Sequence, residues 1–238
     1  MARWRCDLHM HSCLSPCGQL EMSPNALAAL LAERGIQLAA LTDHNAALNT
    51  PTFEKACRRH GIVPLSGLEV QSSEECHILC LFADSRTAVD FGDYIYSLLP
   101  PVMNRPEKTG DQVWVDENDE ILGELDKFLI TSCTLAVDEI ARLARDRGGL
   151  AIPAHVDRPS FSLSSQLGFI PEGPWDALEV ITVPPAIDTG PYPLTQSSDA
   201  HCLMHVARRS FELELPEGFG KDGRADIEAI RTALQGLR

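Results

Sequence analysis

The chain has 238 residues, 44% of them hydrophobic, and a formal net charge of −14. That length and apolar content suffice for one substantial core, so a single domain over residues 1–238 is expected. So acidic a surface tells against long nucleic acid as a partner, because backbone binding needs lysine and arginine to release counterions. No run approaches the roughly 20 apolar residues that span a bilayer, and no charged-then-apolar leader precedes the first motif. A cytoplasmic protein is therefore expected, with its oligomeric state open. The eight cysteines are scattered without CxxC pairs, which predicts reduced thiols.

In chain order, strand-like apolar runs alternate with amphipathic helical ones, the pattern of a βα barrel. The first run ends in Asp7, Leu8, His9, Met10 and His11. Residues i and i+2 of an extended segment share a face, so His9 and His11 can converge on one ion. Ser23 and Pro24 mark a helix start, with Leu27, Leu30 and Leu31 as its apolar face up to Gly35. The run LAALTDHN delivers Asp43 and His44, and IVPLSGLEV delivers Glu69. His60 precedes Gly61 at a predicted helix end, where a cationic group complements the dipole. In ECHILCLF, His77 begins the run instead of ending it, which puts it on the wrong rim unless that strand is antiparallel or the ligand belongs to the preceding loop; Cys80 reads as core.

Residues Pro100 to Cys133 break the rhythm: a polar loop leads into QVWVDENDEILG, which alternates and turns like a hairpin. Either a lid over the site or an ordinary surface insertion fits such an excursion. Val137, Ile140, Ala141 and Ala144 then define a helix stopped by Gly148 and Gly149. GLAIPAHVDR delivers His155 with Arg158 three residues on, and YPLTQSSDAH delivers Asp199 and His201. His205, four after His201, lacks an evident third partner. Five of eight histidines thus end strand-like runs, where α/β barrels keep their chemistry. Imidazole and carboxylate together suit zinc, manganese or iron better than calcium.

The order HxH, TDH, GxE, a later His, then DxH resembles the PHP family, named for polymerase and histidinol phosphatase domains. The resemblance runs from Asp7 to His201 and implies a distorted seven-stranded (β/α)7 TIM-like barrel with two or three divalent ions. It implies that His9, His11, Glu69 and Asp199 hold one ion, and that Glu69 bridges to a second held by His77 and His155. A third would take His44, His201 and a residue shortly after the HxH pair. The family usually has His or Asp six residues after the second histidine, where this chain has Cys17. A thiolate is a sound zinc ligand; a small buried thiol in the turn SPCG is the other reading.

Most characterised members are phosphoesterases, so the expected activity is metal-assisted hydrolysis of a small phosphomonoester: a nucleotide, sugar or amino-alcohol phosphate. Glu69, Asp199, His201 and Arg158 are the expected catalytic set, Arg158 gripping phosphate unless it pairs with Asp157 or solvent. Ser160 and Ser162 are weaker hydroxyl candidates. Asp7 and Asp43 are expected to fix imidazole tautomers. Rival readings are a phosphodiesterase or exonuclease on short oligonucleotides, a carbon–nitrogen hydrolase, and a metal-binding regulatory module without turnover. The second is weakened because Lys55, Lys108, Lys127 and Lys221 all lie away from strand ends.

Overall fold

The computed structural model describes residues 1–237. β1 (Ala2–Asp7) leads through α1 (Pro24–Glu33) to β2 (Leu38–Leu41), and α2 (Thr50–Arg59) leads to β3 (Val63–Gln71). α1 forms where the sequence signals it: the Ser23 hydroxyl accepts from the Ala26 amide, Pro24 opens the helix, and Gly35 ends it at φ +72°. β4 (His77–Phe82) follows, then α3 (Ser85–Ser97), α4 (Pro106–Thr109), and the strands β5 (Val113–Val115) and β6 (Ile121–Glu124), which pair as a hairpin. α5 (Val137–Asp146), β7 (Leu150–Pro153), α6 (Leu163–Leu167), β8 (Leu178–Glu179), β9 (Leu194–Thr195), β10 (Phe211–Leu215) and α7 (Ile227–Gln235) complete the order.

Six strands form one mixed sheet in the order β10-β1-β2-β3-β4-β7. β1, β2 and β3 are parallel, joined by helical crossovers; β4 is antiparallel to both β3 and β7, and β10 is antiparallel to β1. The link from Gln71 to His77 is too short for a parallel crossover, which takes a dozen residues or more, so β4 must double back. Gly67 permits the close approach: a Cβ there would meet the Cys80 carbonyl oxygen at 2.4 Å.

The sheet curls into a half-barrel. Beyond β7, the Asp176 amide donates to the Ala151 carbonyl (2.9 Å) and the Val156 amide to the Glu179 carbonyl (2.8 Å), seating the parallel β8–β9 pair beside it. On the opposite side, the Asp199 amide donates to the His9 carbonyl (2.8 Å) and the His11 amide to the Ala200 carbonyl (2.9 Å). Both sheet faces are buried, as parallel strands require. Leu38 and Ala40 of β2 pack with Cys6, Leu8, Leu65 and α7, while Ala39 and Leu41 pack under α1 and α2. Among the described residues no helix is long and apolar enough to cross a membrane.

Because β4 runs against its neighbours, its first residue lies beside the end of β3, His77 opposite Gln71. The ends of β1, β2, β3 and β7 and the start of β4 therefore share one rim.

Candidate metal centre

Glu69, 1% exposed, is the hub of that rim. Its Oε1 lies 2.8 Å from His77 Nδ1, 3.1 Å from His155 Nε2 and 3.3 Å from His9 Nε2; its Oε2 lies 3.0 Å from His44 Nδ1 and 3.4 Å from His11 Nε2. Asp199 Oδ1 is 3.4 Å from the Nε2 atoms of both His9 and His11, which are 3.2 Å from each other. His201 stacks on His11 with ring centroids 4.1 Å apart, and its Nδ1 is 3.5 Å from Asp199 Oδ1. Three overlapping groups have donor atoms near enough to share an ion: His9, His11 and Asp199; His44, Glu69 and His77; His11, His44 and His201. His155 and Asp199 hold left-handed backbone, φ +33° and +47°, costly for residues with a side chain and typical of functional positions.

The donor chemistry fits divalent ions. Two imidazole Nε2 atoms 3.2 Å apart cannot both point lone pairs at each other without a proton or a cation between them. Buried Glu69 Oε2 and His44 Nδ1 face each other at 3.0 Å yet neither makes a hydrogen bond; the other unpaired ring nitrogens, His77 Nε2 and His155 Nδ1, are not the ones that meet Glu69. Buried polar atoms are rarely left so. Burial alone would push the Glu69 carboxyl up, but His77, His9 and His44 hold it well below its ordinary value. Asp199 is held down similarly, against burial, by His9 and His11. Burial presses His44 down, and Glu69 and Cys17 outweigh it, lifting the imidazole to about 10. These shifts mark a place that draws positive charge; an ion bound there would displace the protons, since ligands bind as carboxylate and neutral imidazole.

Cys17 is an exposed residue that still lines the cavity. Burial of its sulfur pushes the thiol up, but His44 and His201 bring it down to about 7. The cavity, about 170 Å³, is lined by Cys17, His44, Glu69, His77, Ile130, Arg158, Phe161, Asp199 and His201. Arg158 points Nη1 at Asp199 Oδ2, 3.6 Å away. It does not pair with Asp157, whose carboxylate accepts the Ile181 and Thr182 amides.

Two expectations about supporting groups change. Asp7 holds no imidazole: its oxygens accept the backbone amides of Ser198 (2.9 Å) and Ala207 (3.0 Å), so it braces the segment that carries Asp199. Ser162 caps α6, accepting from the Ser165 amide and donating to the Arg158 carbonyl at 2.6 Å, which keeps its hydroxyl from the cavity. Asp43 acts through an intermediary. Its Oδ1 accepts from the Ser15 hydroxyl (2.7 Å), and that hydroxyl oxygen lies 2.9 Å from His11 Nδ1.

Sequence reasoning missed Ser15, Phe161, Ile130 and Glu179. Both Glu179 oxygens lie 3.0–3.1 Å from His9 Nδ1. The signal was the tripeptide Leu-Glu-Val, which delivers Glu69 at 68–70 and recurs at 178–180. Phe161, at φ +56°, stacks on His77 with centroids 5.1 Å apart. Ile130 comes from the 100–133 excursion, whose neighbouring residues anchor it: Asn45 Nδ2 donates to the Leu129 and Thr131 carbonyls, and the Val113 amide donates to the Cys13 carbonyl.

A curled mixed α/β sheet with buried histidine–carboxylate clusters on one rim defines a protein with the donor set of a multinuclear metal centre. The chain belongs to the PHP domain family, whose model matches residues 7–149. Solved structures share the fold at low identity. The lesion-specific endonuclease Q from Pyrococcus furiosus is 20% identical with a TM-score of 0.66, matched over 100% of this chain and 57% of the endonuclease. This chain thus spans little more than half of that protein. An amidohydrolase from Chromobacterium violaceum, solved with bound sulfate and no metal, is 17% identical with a TM-score of 0.58, over 96% of both chains. A candidate metal-dependent phosphoesterase from Bifidobacterium adolescentis is 16% identical with a TM-score of 0.53, over 96% of this chain and 95% of that one. No curated protein matches.

Proposed function

We infer that the protein is a metal-dependent phosphoesterase acting on a small phosphomonoester. The observation that carries this reading is the convergence of six imidazoles on Glu69 and Asp199, with His44, His77, His201, both carboxylates and Arg158 lining a cavity of about 170 Å³. His9, His11, Glu69 and Asp199 would hold one ion; Glu69, His77 and His155 a second; His44, His201 and Cys17 a third. Zinc, manganese and iron all suit the set. The seven-stranded barrel of the family would be made up by counting β8 and β9 with β1, β2, β3, β4 and β7 and leaving out β10 at the sheet edge.

When bound, such ions supply a water ionisable near neutral pH and positive charge against the phosphate oxygens. The chain's own residues do the rest. Glu69 and Asp199 set the ligand geometry, Arg158 donates to a phosphate oxygen on the open side, and His201, the most exposed of the six imidazoles at 28%, is placed to hand a proton to the leaving oxygen when no third ion holds it. Ile130 and Phe161 supply apolar lining. Phe161 already engages His77 and carries the Arg158 guanidinium carbon 5.9 Å from its ring centroid, so it is not a free platform for a base. That argues against a base stacked in the cavity, whichever ester is cleaved. A duplex substrate like that of the endonuclease would also have to settle on a chain of net charge −14.

The test is phosphate release from p-nitrophenyl phosphate and bis-p-nitrophenyl phosphate by manganese- and zinc-loaded protein, with His9→Ala as control. Monoester turnover lost in the control is the expected result. Diester-only turnover would move the assignment to the phosphodiesterase, and silence with metal bound would favour the regulatory module.

Two further outcomes follow. Cys17→Ala should lower metal content by one ion per chain in elemental analysis while the other ions stay; unchanged content would return Cys17 to a plain thiol. Arg158→Ala should cost about tenfold in kcat/KM. A charge-assisted phosphate contact contributes roughly 1.5–3 kcal/mol, discounted here because the side chain is 32% exposed. An unchanged kcat/KM would remove Arg158 from the substrate site.

A further inference from the structure

We propose that Glu179 is a positioning residue for the metal centre: it keeps the His9 proton on Nδ1, so that Nε2 is the nitrogen left for an ion, and so ties the β8–β9 pair to the ion His9 would bind. This rests on the metal-dependent reading above. Glu179 is 1% exposed, and both its oxygens reach the same atom, His9 Nδ1, at 3.0 and 3.1 Å; among the described residues no other group hydrogen-bonds to its side chain. A buried carboxylate with a single partner is expensive unless that partner carries positive charge or leans on it. An ionised carboxylate can only accept, so it admits one imidazole tautomer, the one whose proton sits on Nδ1.

The far side of the ring shows what that tautomer serves. His9 Nε2 faces Glu69 Oε1 at 3.3 Å, Asp199 Oδ1 at 3.4 Å and His11 Nε2 at 3.2 Å. A single N–H there satisfies one acceptor at most, whereas a bare Nε2 joins the other three atoms as a set of donors converging on a cation. A purely structural Glu179–His9 bond linking β8 to β1 would not need that convergence. Glu179 also sits at the end of β8, whose neighbours are fixed by the Asp157 carboxylate and by the amide of Val156, the residue after His155. Loss of the carboxylate would therefore be felt at the ion before it was felt in the fold.

The experiment uses full-length protein stripped of metal and titrated with zinc or manganese against a chromogenic chelator, with no substrate present. Glu179→Gln, which can donate to Nδ1 as well as accept from it, is expected to bind one ion about 10–100-fold more weakly, and Glu179→Ala at least as weakly. The melting temperature of stripped Glu179→Gln should match or exceed that of the parent, while its rise on adding metal shrinks. In a His9→Ala background, Glu179→Gln should change affinity no further. An unchanged affinity in folded Glu179→Gln, or an undiminished loss in the His9→Ala background, overturns the role. A parent chain that binds no ion stoichiometrically overturns it together with the metal reading. A parent that binds metal but hydrolyses neither ester defeats only the phosphoesterase, and the affinity ratio still decides Glu179.

Discussion

Glu69→Gln is expected to reduce phosphomonoester hydrolysis by about a thousandfold or more and to strip the protein of most of its metal. The substitution keeps the volume of a residue that is 1% exposed and removes the one charge that five imidazoles meet within 2.8–3.4 Å. Gln offers a single acceptor oxygen and a donor nitrogen, so one face of the hub would repel a cation where both faces now attract it. A metal pair stabilises a phosphoryl-transfer transition state by several kcal/mol; at about 1.4 kcal/mol per decade, its loss corresponds to roughly three decades in rate. The change should spare the fold. Removing a desolvated carboxylate also removes part of what keeps His9 well above its ordinary value against burial, namely Glu179, Glu69 and Asp199 together, so His9 gives up its extra proton instead of standing as an unpaired cation. Circular dichroism, elemental analysis and the chromogenic assay on one preparation check all three points. A folded Glu69→Gln protein with full activity would refute the bridging role.

How far the sequence discloses this site depends on the kind of signal each residue leaves. His9, His11, His44, Glu69 and His155 stand at or near the ends of recognisable apolar runs, and the structure brings them together as that placement implies. His77 is different. Its position at the start of a run makes sense only once the short link after β3 is seen to force an antiparallel return, and strand direction leaves no mark in the residues themselves. β8 and β9 have two residues each, too few to show a period; β8 lies within a proline-rich stretch from 171 to 193 and β9 follows it. Glu179 is therefore hard to see although its tripeptide repeats that of Glu69. Ser15 and Ile130 act through loops whose course is set by tertiary hydrogen bonds, to Asp43 and from Asn45, and no local pattern encodes those. Asp7 misleads for a related reason: its nearness to two histidines in sequence says nothing about the amides of Ser198 and Ala207, about 200 positions away, that claim both its oxygens.

Asp43→Asn should weaken metal binding at His11 about 10–100-fold while leaving the folded structure in place, by reversing the direction of one hydrogen-bond chain. In the parent protein Asp43, an acceptor on both oxygens, takes the Ser15 hydroxyl proton at 2.7 Å and the Ser12 hydroxyl proton at 2.6 Å, with the Ser12 amide at 2.7 Å. Burial pushes the Asp43 carboxyl up, and these donors from Ser12 and Ser15 pull it back toward the ionised form. With its proton spent on Asp43, Ser15 Oγ can only accept from His11 Nδ1, 2.9 Å away, and His11 is left with a bare Nε2 facing Glu69, Asp199 and His9. An asparagine here sets its amide nitrogen either against Ser12 Oγ, which already accepts from the Leu14 and Asn49 N–H groups, or toward Ser15 and the Ser12 N–H together. The second orientation, at a cost at the Ser12 amide, reverses the chain through Ser15. The hydroxyl is then free to donate to His11 Nδ1, the imidazole proton moves to Nε2, and the atom that should meet the ion carries a hydrogen instead. Asp43→Glu restores an acceptor-only group but lengthens it by a methylene in a fully buried site, so it is expected to recover metal affinity only in part and at a cost in stability. Chelator-competition titrations of the two variants, with melting temperatures of the stripped proteins, separate the cases. If the Asp43→Asn protein binds metal as the parent does, the Ser15 chain does not set the His11 tautomer. If it binds weakly and Ser15→Ala in the same background changes nothing more, the proton's direction along Asp43, Ser15 and His11 is what the centre depends on.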